Sequence, residues 1–400
     1  MSTLSPTEPT FHPDFSPTIP AAPPIETVAV VHPVAHAPLQ LQFTGTGAEY
    51  FRIWSVNLTL TVLTLGLYSA WAKVRRLQYF HQHTLLDGSA FDYVANPVAI
   101  LLGRAIALVL LVLYYLAFDY APEAGLAITV VLCAGLPYLL WQSNRFKARN
   151  TRYRGLSFGF DGALQQAYRV YLPPLVVVLT PPVIGAFFLG PKGQLWTAVA
   201  SVAGLLTLPF FHAMFRRYVQ SNLRYGQTRF DFSARTRDFA ATWGVGLLVA
   251  TAVGFLIGVF VGAITAVVLT ETYKSGNTRF VILAITTLVL WLSYLVVSCY
   301  FTARFQTLVW GKTRVGHLAL HSDISFSTLL ILQTKNLALV ILTLGLYRPV
   351  AAIRVARYRL QAIGVTGVDA LDGFDAGVPQ SRHGATGEGA AELFEMDLGL

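Results

Sequence analysis

A few polar and charged side chains interrupt the apolar stretches of this chain, and they are where chemistry could occur. Asn57 opens a run to Tyr68, and Asn336 opens a near copy that ends at Tyr347. Lys335 precedes the second asparagine, and Arg104 lies seven residues after Pro97. Charge at membrane depth is costly, so such residues mark substrate paths or relays by default. Arg104 also reads as a side chain snorkelling to the nearer interface. Lys335 reads either as an anion contact at the turn of a re-entrant segment or as a solvated residue. The pairs Pro173-Pro174 and Pro181-Pro182 would break a spanning helix twice and bare carbonyls to a cavity; a packing kink is the alternative. Asn57, Arg104, Pro173, Pro174, Pro181, Pro182, Lys335 and Asn336 thus make up a candidate polar site within the membrane.

A second candidate surface is basic. Arg149, Arg152 and Arg154 fall in a connector between apolar segments and suit anionic lipid headgroups or a partner. Among enzyme signatures, HExxH, Walker A, a Rossmann glycine pattern and CxxC are missing. His81 with His83, His317 with His321, and His32 with His36 lack the partners a metal site needs. No catalytic residue, cofactor or metal is expected.

These residues must be positioned by membrane helices. The chain is 54% hydrophobic and 12% charged, about half the charge of a soluble domain. Six segments can cross about 30 Å of hydrocarbon: 98–118, 124–143, 171–190, 195–215, 241–268 and 279–301. They pair into three hairpins with short tips. Of the 29 basic residues, 22 lie in the connectors between hairpins and in 348–362. The positive-inside rule therefore puts the connectors in the cytoplasm, and this distribution argues against nucleic acid as the partner of the +9 net charge. The stretch Leu58–Tyr68 reaches only about 16 Å as helix, so it and its copy read as re-entrant; Trp54 and Trp71, spaced like two interfacial belts, keep a full crossing open. Gly254, Gly258 and Gly262 predict close helix approach. Residues 1–38, rich in Pro, and 365–400, rich in Gly and acids, read as disordered tails around a repetitive membrane domain at 39–364.

The connectors repeat one signature: an aromatic, a polar residue four positions on (Thr84, Asn150, Asn222), a glycine, then Phe91-x-Tyr93, Phe158-x-Phe160 or Phe230-x-Phe232. Fainter copies follow Phe305 and Tyr358. Turn chemistry near Gly155 predicts a β-hairpin, while Tyr79, Phe80, Phe146, Tyr218 and Phe305 suit headgroup anchors. Pro137, Pro209 and Pro349, each nine residues before such an aromatic, predict helix bends. The fold class is an all-α polytopic membrane protein of three helical hairpins and two shorter segments, with small cytoplasmic β-hairpins.

The run Phe43-Thr44-Gly45-Thr46-Gly47-Ala48-Glu49-Tyr50, with Thr64-Leu65-Gly66-Leu67-Tyr68 through Lys73 and Arg75, and Asn96-Pro97 before Gly103-Arg104, resembles the YjgN-like family of bacterial inner-membrane proteins. The likeness covers about 39–362. It implies a bacterial inner-membrane location and supplies no activity. Two functions follow as expectations: a transporter- or channel-like protein for a small solute or lipid, or a non-transporting scaffold that binds anionic lipid or a partner through its basic loops.

Overall fold

The computed structural model describes residues 39–188, 190–271 and 276–367; the two tail readings lie largely outside these. Two short strands, β1 (Leu39–Gln40) and β2 (Gln42–Phe43), precede the helices α1 (Gly47–Leu63) and α2 (Ser69–Gln82). The hairpin β3 (Thr84–Leu86) and β4 (Ser89–Tyr93) leads to α3 (Pro97–Tyr120) and α4 (Pro122–Asn150). The pattern recurs with β5 (Thr151–Tyr153), β6 (Leu156–Phe160), α5 (Leu164–Phe187) and α6 (Pro191–Ser221). It recurs again with β7 (Leu223–Tyr225), β8 (Thr228–Phe232), α7 (Thr236–Glu271) and α8 (Gly276–Gly311). Then come β9 (Thr313–Val315), β10 (Leu318–Ser322), α9 (Phe326–Leu342), α10 (Arg348–Gln361) and β11 (Ile363–Thr366).

All these strands share one antiparallel sheet, in the order β1-β11-β10-β9-β8-β7-β6-β5-β4-β3-β2. Its two ends are one extended segment. Leu39 and Gln40 pair with β11, Leu41 N donates to Ile363 O at 3.0 Å, and Gln42 and Phe43 pair with β3. The sheet is therefore a closed ring, and closure removes exposed edges. The helices close likewise, each packing on the next and α10 on α1.

The ring has five equivalent units, each a helical hairpin and a strand pair. One hydrogen bond repeats at all five junctions: Thr44 N to His83 O, Val94 N to Asn150 O, Asp161 N to Asn222 O, Ser233 N to Lys312 O and Asp323 N to Ala362 O, at 2.9–3.0 Å. The fifth unit is split, with β11 at one end of the sequence and residues 39–43 at the other. Among the described residues six helices, α3 to α8, are long and apolar enough to span a membrane. All three of their hairpins leave and re-enter the same sheet, so the connectors lie together.

Several expectations need correction. The small hairpins are not separate and the fold is not all-α, because strands of two to five residues satisfy their edges only by joining into one ring. Val365 and Thr366 belong to β11 rather than to a tail, with Val365 packed between Leu39 and Leu320 in register. Pro349 opens α10 instead of bending a helix, a position where its missing N–H costs nothing. Gly254, Gly258 and Gly262 face open space, so their close approach is not made within the chain.

Candidate functional site

The two matched short segments each fold as a half-length helical hairpin that returns to the sheet. Their tips are the same structure. Thr64 Oγ1 accepts from Tyr68 N at 2.9 Å and donates to Leu60 O at 2.7 Å; Thr343 Oγ1 does the same with Tyr347 N at 3.0 Å and Leu339 O at 2.7 Å. Gly66 N reaches back to Thr61 O and Gly345 N to Val340 O, closing a Schellman-type turn. Leu65 (φ 49°) and Leu344 (φ 51°) take the left-handed conformation, which costs a residue with a β-carbon about 1–2 kcal/mol. Both are almost wholly exposed, at 96% and 95%. Trp54 and Trp71 fall on opposite arms of the first hairpin, so their spacing reflects a turn and not a crossing.

Asn57 and Asn336 hold the arms together, but differently. Asn336 is buried, Arg354 Nη1 donates to its Oδ1 at 3.1 Å, and the same nitrogen reaches the Tyr347 hydroxyl at 3.0 Å. Asn57 is equally buried, yet its Oδ1 has no partner. The counterpart of Arg354 is Arg75, which lies over the Tyr68 ring at 5.8 Å. Arg104 donates from α3 to Ser69 Oγ, just past the first tip, so it braces that hairpin. Lys335 is exposed in the middle of α9, not at a turn.

The proline pairs do not join these residues. Helix α5 runs unbroken through Pro173, Pro174, Pro181 and Pro182 and packs between α4 and α6, whereas Asn57 and Asn336 belong to α1 and α9. Pro173 and Pro182 are exposed. The expected double break does not occur, and the eight residues do not line one cavity. Pro137 and Pro209 likewise sit inside continuous helices.

The basic triplet also behaves otherwise than as a free patch. Arg154 Nη2 binds Asp87 Oδ2 at 2.5 Å and its Nε reaches Ser89 Oγ at 3.2 Å, tying neighbouring turns. Arg152 stands opposite Asp92 in the ladder, and Arg149 is half-buried at the end of α4. The signature aromatics expected as headgroup anchors pack inward instead: Tyr79, Phe146 and Tyr218 are buried, and the half-buried Phe80 and Phe305 lie against apolar clusters. Their conserved spacing within the chain has a local cause. Thr84 Oγ1 donates to Phe80 O, Asn150 Nδ2 to Phe146 O and Asn222 Nδ2 to Tyr218 O, at 2.7–3.0 Å, capping carbonyls that a helix end leaves bare.

The sheet interior is apolar. One contiguous cluster draws on every strand, including Phe43, Leu86, Phe91, Tyr153, Tyr225 and Val315. Two of its hydroxyls are spent internally: Tyr225 donates to Tyr153 O at 3.0 Å and Tyr153 to Leu86 O at 2.7 Å. Burial raises the Tyr153 hydroxyl's pKa and pushes that of Tyr225 up to about 12. The spanning helices are the reverse case. In the most apolar window of each, only 0–17% of residues are buried, and Leu108 to Leu113 are exposed at six consecutive positions, on every face of α3.

Sequence reasoning missed the Gln142-Ser143-Asn144 run, which is buried at the base of α4 with Asn144 Nδ2 donating to the Tyr171 hydroxyl at 3.0 Å. Three polar residues in a row at the end of an apolar segment were the available signal.

The family described as "Bacterial protein of unknown function" (DUF898) matches residues 38–393. The chain belongs to this family. Among curated relatives, Inner membrane protein YjgN of Salmonella typhimurium is 30% identical over 141 residues, 34% of this chain and 36% of that protein. Inner membrane protein YjgN of Escherichia coli O157:H7 and that of Escherichia coli K12 are each 25% identical over 214 residues, 48% of this chain and 52% of theirs. The chain thus spans about a third to a half of the length of the curated relatives it matches. No solved structure matches. This DUF898 member is similar to inner-membrane proteins, in agreement with its six membrane-capable helices.

Proposed function

We propose that this protein holds phospholipid in and around its helix ring and conducts no aqueous solute, with its sheet on the cytoplasmic side. The observation that carries this reading is the apolar cluster filling the sheet from every strand, since such an interior offers no hydrated path along the ring axis. The exposure of α3 on every face supports lipid contact inside the ring as well as outside. Asn57, Lys335 and the prolines lie on three different helices, α1, α9 and α5, which favours this reading over a solute path lined by them. The sidedness rests on the basic connectors. Reconstituted full-length protein should release neither potassium nor a trapped anionic dye above the rate of empty vesicles, and native mass spectrometry should find phospholipid retained through detergent purification. Protein-dependent efflux overturns the reading.

A further inference from the structure

The helices of the ring differ in height, and the short ones are neighbours. The hairpin α1–α2 meets α9–α10 directly: a β-carbon on Gly47 would stand 3.0 Å from Val350 Cγ1, and Arg357 Nη2 donates to Gly45 O at 2.8 Å. The three spanning hairpins make up the rest of the ring. Two contacts show how far they rise above the short pair. Arg104 of α3 donates to Ser69 Oγ, just past the first tip, and α3 continues for about 24 Å to Tyr120. On the other side, Cys299 of α8 packs in one cluster with Leu329 of α9. From that level α9 climbs about 20 Å to Leu342, and α8 about 34 Å to Gly276. Over four adjacent helices the wall is thus lower by about 15–24 Å, at least half of a hydrocarbon core of about 30 Å.

The tips place this gap inside the bilayer. Asp119, Tyr120 and Glu123 are exposed at the α3–α4 tip, and Lys192 and Trp196 at the α5–α6 tip. Charges and aromatics of this kind mark a membrane interface. Within 61–68 and 340–347, by contrast, every exposed side chain is leucine, valine or isoleucine. The threonines there spend their hydroxyls on the backbone. The tall tips therefore end among headgroups, and the short ones end in hydrocarbon beneath them. The flanks of the gap are apolar and bulky: Leu108 to Leu113 of α3 on one side, Phe280 and Leu283 of α8 on the other, all exposed. Such flanks suit fluid acyl chains. A docked helix packs through small residues, and the exposed run of these, Gly254, Gly258 and Gly262, is on α7, which does not border the gap.

We propose that the gap above the two short hairpins is a lateral portal, through which phospholipid of the leaflet away from the sheet enters and leaves the ring. Its leucine sill lets acyl chains cross without meeting a polar group. The inference rests on the lipid reading above and adds a route and a leaflet to it.

The test uses the full chain, reconstituted in one orientation into liposomes that carry deuterated phosphatidylethanolamine in a single leaflet. Native mass spectrometry after detergent extraction follows the label into the retained lipid. Label in the leaflet away from the sheet should enter at least tenfold faster than label in the leaflet beside it. The L65E/L344E variant, with charge on the sill, should slow this entry at least fivefold, while V178E/V202E, with the same charges on the tall wall, leaves it unchanged. L65N/L344N should slow it at least threefold; asparagine takes the left-handed conformation more readily than leucine, so this variant keeps the test open should the glutamates prevent folding, as judged by monodisperse elution. Equal entry from both leaflets, or unchanged entry in the sill variants, overturns the portal while leaving lipid retention in place. A photoreactive residue at Leu344 should crosslink to phospholipid; crosslinking to a second copy of the chain instead makes that copy the occupant and overturns the portal. Wild type that retains no phospholipid overturns the reading beneath it.

Discussion

The hydroxyl of Tyr79 brackets the backbone of Thr46, accepting from its N–H at 2.9 Å and donating to its carbonyl at 3.1 Å. Tyr358 does the same to Ser325, at 3.0 and 3.1 Å. In both cases the second helix of a hairpin pins the residue that caps the first. Tyr218 makes a weaker version, one bond of 3.4 Å to Ala163, and the other two units carry Phe146 and Phe305. Tyr79→Phe and Tyr358→Phe should each destabilise the protein by about 1 kcal/mol, and Tyr218→Phe by less. Thermal unfolding in one detergent checks the ranking; an equal loss at all three positions would contradict it.

The twin asparagines should answer truncation differently. Asn336→Leu strands the Arg354 guanidinium against a half-buried surface and should cost about 1–3 kcal/mol. Asn57→Leu removes an oxygen that has no partner and should be neutral or stabilising in lipid-free detergent. The measurement is the shift in unfolding temperature of each variant, and a reversed order rejects the asymmetry between the hairpins.

The tips should sit among acyl chains. A fluorophore on Leu65→Cys or Leu344→Cys, in a background with Cys133 and Cys299 replaced, should be quenched by lipids brominated mid-chain. The same label on Gln227→Cys, in a turn of the sheet, should not. Strong aqueous quenching at Leu65 would remove the re-entrant geometry.

One sheet means one side. Asp87→Cys, Ser157→Cys, Gln227→Cys and His317→Cys should all react with an impermeant thiol reagent from the cytoplasmic face, and Lys192→Cys, near the α5–α6 tip, only from the other. Two turns labelled from opposite faces would break the ring.

Alkaline pH should loosen the sheet. Burial raises the Tyr153 pKa above the unfolded value near 10 and that of Tyr225 to about 12. Their neutral forms are favoured in the fold, so this stability is complete below pH about 10 and declines as pH climbs through the folded values. Unfolding temperature should fall between pH about 10 and 12, with tyrosinate absorbance appearing later in folded than in unfolded protein. Tyr225→Phe should flatten that decline.

Much of this was legible in the sequence because its causes are local. The polar residue four positions after each aromatic marks a helix end whose carbonyl it caps, as Asn222 does for Tyr218. The two tips repeat Thr-Leu-Gly-Leu-Tyr because a left-handed turn and a threonine bridge need those types in that order. The ring was not legible, since the pairing of Gln40 with Gly364 joins opposite ends of the sequence and no nearby residue signals it. The fifth repeat looked faint for the same reason: its second strand is residues 39–43. The proline pairs misled because helix α5 carries them without ending. The different states of Arg75 and Arg354 are rotamer choices, and the two matched segments give no sign of them.

The seal made by residues 39–43 also constrains the order of assembly. Among the described strands, β2 can find β3 soon after both leave the ribosome, but β1 must wait for β11, the last of them to be synthesised. Until then a nascent chain carries three inserted hairpins on an open-edged sheet, the state in which unpaired strands invite wrong partners. Any truncation that removes Ile363–Thr366 would leave every membrane hairpin in place and yet leave the protein permanently unfinished.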